Sequence, residues 1–299
     1  MISVLRNMRL VYRAIIGILA PIYLFCSIPL FAADCQLEHI NKVGVGVWPV
    51  RGTEALRNEL GRLNAGWFYN WQPKTNVENS KFVPMIWSGR DLPYVLSTQS
   101  RELLTFNEPD RDNQANMDVD LALAYWPTLM LTGKRLGSPA TSTGNEIGEE
   151  SWLGRFMSAA RKRNYRVDFI SVHYYSSDKD VEAFKLHLER IHQAYDRPVW
   201  VTEWALADWS NPSRFSPEEQ ASFFRSASRM LDDLPFVERH AWFGLYEGLD
   251  GWRLGSGLVV EGRLSPVGAA FVDLMTCRVV PSSDRSPSTP PSESLPDPI

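Results

Sequence analysis

Two glutamates carry the chemistry that this sequence could do. Glu108 closes the apolar run Leu103-Leu-Thr-Phe-Asn107, and Glu203 closes Pro198-Val-Trp-Val-Thr202. Apolar runs of this length read as buried parallel strands. A carboxylate at the end of such a strand is out of place unless it is partnered or half in water, because burying an unpaired charge is costly. Either glutamate alone could simply end a strand. Two of them, each flanked by aromatics, favour a carboxylate pair for acid/base work on a polar bond.

The elements that must bring them together alternate from residue 43 onward. We expect strands at Val43–Trp48, Trp67–Trp71, Phe82–Trp87, Leu103–Asn107, Arg135–Pro139, Val167–Tyr174, Val199–Thr202 and His240–Tyr246. Between them lie helical stretches: one opened by Thr53, a short one over Asp91–Gln99, then Asp118–Thr132, Trp152–Arg163 and Val181–Tyr195. A further helix is opened by Ser216-Pro217 with Glu219 completing a capping box, and a last one runs from Pro266 to Met275. Eight strands alternating with helices predict an α/β chain folded as one (β/α)8 TIM barrel, with chemistry at the C-terminal strand ends. On that count the two glutamates end strands four and seven. A doubly wound open sheet is the alternative, but Gly44-Val-Gly46 lacks the third glycine of a dinucleotide fingerprint, and no P-loop is present.

The ordered set Trp67-Phe-Tyr-Asn-Trp71, Phe82-Val-Pro-Met-Ile-Trp87, Phe106-Asn-Glu-Pro-Asp110, His173-Tyr-Tyr175, Trp200-Val-Thr-Glu-Trp204 and Ala241-Trp-Phe243 resembles the glycoside hydrolase family 128 endo-β-1,3-glucanases over roughly residues 43 to 275. The resemblance implies a retaining glycosidase in which Glu108 is the general acid/base and Glu203 the nucleophile. Asn107 is then expected on the sugar 2-hydroxyl and His173 on a catalytic carboxylate or its tyrosine neighbours, while strand alternation puts Tyr175 on the face of His173, toward the sugar and holding Glu203, and Tyr174 in packing. Trp242 would floor the site, with a cis peptide between Trp242 and Phe243. Trp48, Trp71 and Trp87 end early strands and are candidate sugar platforms, of which two are expected to reach the cleft. Trp204 faces away by strand parity, and Asp110 and Asp208 read as loop-fixing groups. Another β-glycan substrate, or a carbohydrate-binding protein without turnover, stays open as an alternative.

Composition is ordinary for a soluble globular protein except for tryptophan, an excess of which can mean core or the flat walls of a sugar-binding cleft. Eleven tryptophans are many for 299 residues, and the net charge of −4 offers no basic footprint for nucleic acid. The histidines are scattered, with no His-Glu-x-x-His, so no metal and no other cofactor is expected. We expect a monomer whose partner is β-1,3-glucan. Residues 1–33 carry Arg6, Arg9 and Arg13 ahead of an apolar stretch ending at Ala32-Ala33, which reads as a secretory signal, with a membrane anchor as the alternative. The glycosidase domain is expected over 34–279, followed by a Pro/Ser-rich disordered tail over 280–299. Of three cysteines, Cys26 leaves with the leader. Cys35 and Cys277 then form an even pair, expected to bridge in a secreted or periplasmic protein.

Overall fold

The computed structural model describes residues 37–77, 81–248 and 251–276. The expected leader, the tail and both cysteines of the anticipated bridge lie outside them.

Parallel strands and helices alternate along the described chain. The strands are β1 (Val43–Gly46), β2 (Trp67–Tyr69), β3 (Glu102–Asn107), β4 (Arg135–Ala140), β5 (Ile170–Ser176), β6 (Val199–Leu206) and β7 (Val237–Trp242). A short antiparallel pair follows, β8 (Val259–Val260) with β9 (Arg263–Leu264). The helices are α1 (Leu37–Lys42), α2 (Thr53–Leu63), α3 (Val119–Met130), α4 (Trp152–Lys162), α5 (Val181–Tyr195), α6 (Pro217–Asp233) and α7 (Pro266–Met275). A parallel sheet runs in the order β2-β1-β7-β6-β5, and β3 pairs in parallel with β4.

The third expected strand, Phe82–Trp87, is not a regular strand. Pro84 has no N–H to give a ladder. The segment instead makes isolated parallel bridges, Phe68 with Phe82 and Met85 with Leu104. It still bonds both neighbours, through Val83 N–H to Phe68 O at 2.9 Å and Leu104 N–H to Pro84 O at 3.0 Å. A further parallel bridge joins Gly137 of β4 to Phe169, just ahead of β5.

The first strands show how sequence sorts the two faces. In Val43-Gly-Val-Gly46 the valines pack into the larger apolar cluster, shared with the helices. The glycines face the other way and leave room for tryptophan rings. A Cβ on Gly44 would lie 2.4 Å from the Trp67 ring, and one on Gly46 2.7 Å from the Trp71 ring. On β2, Phe68 joins the helix-side cluster, while Trp67 and Tyr69 join a second cluster with Val83, Met85, Leu104, Phe169, Trp200 and Ala241. Period-two alternation thus builds two cores from one set of strands.

Helix starts follow local chemistry. Ser216 accepts from Glu219 N–H at 3.2 Å, and its own N–H is held by the Glu219 carboxylate at 2.9 Å, the expected capping box with Pro217 in the first turn. Asp118 caps α3 through Leu121 N–H at 2.7 Å. For α2 the cap is Gly52, and Thr53 is the first helical residue instead of the cap. The short helix expected near Asp91 is a 3-10 helix over Gly89–Ser97.

Candidate active site

Glu108 follows the last residue of β3 with a φ of 40°, in the left-handed region that non-glycine residues seldom occupy. Its N–H is held by Ala140 O at 2.7 Å, at the end of β4, so the turn is fixed from the neighbouring strand. The next acid, Asp110, accepts from Ser142 N–H at 3.0 Å and Asn145 Nδ2 at 3.0 Å, and also from the Ser142 hydroxyl. It fixes the loop after β4. Asp208 has the same task, accepting from Ser210, Asn211 and Arg214.

Glu203 does not end its strand. β6 continues to Leu206, and the expected boundary at Thr202 is too short. The register explains how an acid can sit inside a buried strand. Val172 pairs with Val201 but His173 pairs with Glu203, a bulge that leaves Thr202 as the extra residue. Such a bulge re-aims the side chains around it. The Thr202 carbonyl is taken by the Tyr69 hydroxyl at 2.8 Å.

Around Glu203 stand donors. Trp71 Nε1 lies 2.8 Å from Oε1, and Tyr175 OH lies 2.6 Å from Oε2. Tyr69 OH and His173 Nε2 each lie 3.4 Å from Oε1. The other ring nitrogen of His173, Nδ1, is 3.1 Å from Glu108 Oε1, so one imidazole bridges the two carboxylates. His173 is fully buried, and Thr143 holds its backbone carbonyl at 2.9 Å.

Burial pushes the Glu203 carboxyl above its ordinary value, and Glu108 adds to this. His173 and the bonds from Tyr175 and Trp71 pull the other way. Burial by itself would lower His173, but the charges of Glu203, Glu108 and Asp110 and the Glu108 hydrogen bond together raise it. Burial, with Glu203 beside them, pushes the Tyr69 and Tyr175 hydroxyls well up, so both stay protonated donors.

Both carboxylates line one cleft of about 870 Å³. Trp48, Trp71 and Trp87 all reach it, one more than expected. Asn107 lines it too, with Nδ2 donating to Gln114 Oε1 at 3.2 Å and a buried Oδ1 without a protein partner. Tyr175 lines the cleft while Tyr174 stacks on Phe184 at 4.0 Å, as alternation requires.

Trp242 is elsewhere. It is fully buried, donates to Ser256 O at 2.7 Å, and packs edge-on against Phe224 and Trp204 in the helix-side core. The cleft residue is its neighbour Phe243, because β7 ends at Trp242 with that ring on the outer face. The cis peptide also falls one residue later than expected, between Phe243 and Gly244. Trp204 faces the same outer core, stacked on Phe224 at 5.6 Å.

Sequence reasoning missed Tyr69, Gln114, Phe243 and the rim pair Trp209 and Trp252, whose rings meet at 5.2 Å. Parity offered a signal for Tyr69, since 67, 69 and 71 share a face. Nothing in the loop sequence marked Gln114.

Residues 47–271 match the family model described as glycosyl hydrolase catalytic core. Alkali-sensitive linkage protein 1 of Schizosaccharomyces pombe is 29% identical over 226 residues, which cover 69% of this chain and 40% of that protein. The chain therefore spans less than half the length of that relative. A solved glycoside hydrolase family 128 (subgroup I) endo-β-1,3-glucanase from Amycolatopsis mediterranei, in complex with laminaritriose, is 37% identical with a TM-score of 0.70, covering 78% of this chain and 99% of that one. A subgroup III curdlan-specific exo-β-1,3-glucanase from Blastomyces gilchristii, in complex with glucose, is 28% identical with a TM-score of 0.62, covering 78% and 98%.

Proposed function

Since the chain belongs to the glycosyl hydrolase catalytic core family and, within it, to glycoside hydrolase family 128, we propose that it cleaves β-1,3-glucan internally by double displacement. Glu203 is the nucleophile and Glu108 the acid/base. One observation carries this reading: His173 touches both carboxylates, at 3.1 Å and 3.4 Å, beneath a single cleft.

The arrangement divides the labour. His173 orients both acids, with Nδ1 hydrogen-bonded to Glu108 Oε1 at 3.1 Å and Nε2 facing Glu203 Oε1 at 3.4 Å, just beyond a formed hydrogen bond. Glu203 then attacks the anomeric carbon while Glu108 gives its proton to the leaving oxygen. In the second step Glu108 takes a proton from water, which displaces Glu203 from the sugar. Asn107, held by Gln114, has a second Nδ2 proton free for the sugar 2-hydroxyl, a bond that strengthens as positive charge grows at the anomeric carbon. Trp48, Trp87 and Phe243 offer ring surface to the C–H faces of the glucan.

The same reading extends to the fold. The bridges at Phe82, Met85 and Gly137 make residues 82–87 an eighth position between β2 and β3 and link β4 to β5, which supports a closed (β/α)8 barrel. No helix among the described residues is long and apolar enough to cross a membrane. Secretion rests on the leader composition and is tested by sequencing the mature N-terminus.

Glu108→Gln and Glu203→Gln are expected to lose about 10²–10⁴-fold in kcat on linear β-1,3-glucan while still binding it. NMR of the first-formed anomer is expected to show retention. An inverted first product overturns double displacement, and unimpaired turnover in either variant overturns its assignment. Chain length falling ahead of reducing-end release distinguishes internal from terminal cleavage.

A further inference from the structure

We propose that Trp71 is a positioning residue for Glu203, its indole N–H holding Oε1 in the ionised, acceptor form. The proposal rests on the reading of Glu203 as nucleophile. A tryptophan on a sugar cleft is expected to work through its ring face. The geometry gives Trp71 another task.

The Trp71 Nε1 to Glu203 Oε1 distance is 2.8 Å, the short contact on that oxygen. Tyr69 stands farther off at 3.4 Å and is closer to Thr202 O. Donor type matters here. A tyrosine hydroxyl can rotate and accept, so Tyr175 tolerates a proton on Oε2. An indole N–H can only donate, so a proton on Oε1 would face another proton across the contact. Trp71 therefore keeps a proton off Oε1, and its bond is stronger to the carboxylate than to an acid protonated on Oε2.

The chain is shaped to deliver that N–H. Trp71 has a φ of 55°, a backbone conformation that bulky residues avoid and that recurs at functional sites. The turn is held by Gln72 N–H on Asn70 Oδ1 at 3.2 Å and by Met85 N–H on Gln72 O at 3.0 Å. Opposite the ring, Gly46 has no side chain, and a Cβ there would come within 2.7 Å of it. Trp48, Tyr69 and Phe243 pack around the indole at centroid distances of 5.6, 4.8 and 5.9 Å, which fixes its orientation.

Two variants test this. Trp71→Phe removes the N–H and part of the ring. Replacing Trp71 with β-(3-benzothienyl)alanine keeps the bicycle and exchanges N–H for sulfur. The pH profile of kcat/KM on a linear β-1,3-gluco-oligosaccharide is expected to move its acidic limb upward by about one pH unit in both, as loss of a hydrogen bond to a charged group requires. The alkaline limb stays in place, and the benzothienyl variant keeps the wild-type melting temperature at pH below the acidic limb, where Glu203 is protonated in both proteins. A uniform loss across pH with an unmoved acidic limb overturns the proposal, because packing or sugar stacking alone would produce it. Glu203→Gln separates the layers. Retained turnover there overturns the reading of Glu203 and the proposal with it, whereas lost turnover with unmoved limbs overturns the role of Trp71 alone.

Discussion

At the scale of the residue, Asn107 shows how one amide is tuned by its neighbour. Its Nδ2 donates to Gln114 Oε1 at 3.2 Å, which fixes the amide plane, and its buried Oδ1 has no hydrogen-bond partner among the described residues. Gln114→Leu keeps most of the volume and frees the plane. We expect it to lower kcat/KM about fivefold, the equivalent of about 1 kcal/mol for one hydrogen bond. On a substrate whose cleaved sugar lacks the 2-hydroxyl, the same substitution is expected to change little, and an equal loss on both substrates would show that Gln114 acts elsewhere. The partners of this site were unevenly legible. Glu108, Glu203, Asn107, His173 and Tyr175 sit on or beside strands, where type and parity together specify a face. Gln114 sits in an irregular loop, held by Ala115 N–H on Asn107 O and Met117 N–H on Pro109 O, and no periodicity reports on such a segment. Trp242 failed for a different reason: its residue type suggested a sugar platform, but the strand presents it outward and leaves the cleft to Phe243.

At the scale of the element, the site depends on two strands that break regularity in opposite ways. β6 gains a residue at Thr202, which lets Glu203 pair with His173 while Trp204 still faces the helices. β1 loses side chains at Gly44 and Gly46 to admit two indoles. The alternation of β1 was readable, since Val-Gly-Val-Gly has a period of two, but its purpose was not, because the tryptophans it clears lie on the neighbouring strand and just beyond its end. The bulge was invisible, because a register shift needs the partner strand to define it. The two glycines separate stability from chemistry. Gly44→Ala presses on Trp67, fully buried beneath the site, and Gly46→Ala presses on Trp71. Each is expected to destabilise by about 1–3 kcal/mol in chemical denaturation, as overpacking does. Only Gly46→Ala is expected to move the acidic limb of the pH profile, and an equal shift in Gly44→Ala would mean that general strain, not the Trp71 contact, controls Glu203.

At the scale of the whole molecule, the buried site sets a direction for stability against pH. Glu203 titrates above its ordinary value of 4.5, chiefly because it is buried, and His173 above 6.5 because nearby carboxylates outweigh its burial. In both cases the native state holds its proton more tightly than the unfolded chain. The stabilisation from each is therefore complete below the unfolded value and is lost as pH rises through the folded one. Exposed acids act in reverse: Asp208, with Ser210 and Arg214, and Glu219, with Lys179, titrate below their ordinary values and favour folding once ionised. Their share is small in open solvent. Glu203→Gln removes the buried charge and with it part of the support for a charged His173. The melting temperature of this variant minus that of the wild type is thus expected to become more positive from pH 4.5 towards pH 8, each kcal/mol appearing as about 2–4 °C. A difference that stays flat, or falls, across that interval would mean that Glu203 ionises in the native protein as readily as in the unfolded chain. Its cage of donors would then fully offset its burial, and the stability of the molecule would be independent of the charge on its proposed nucleophile.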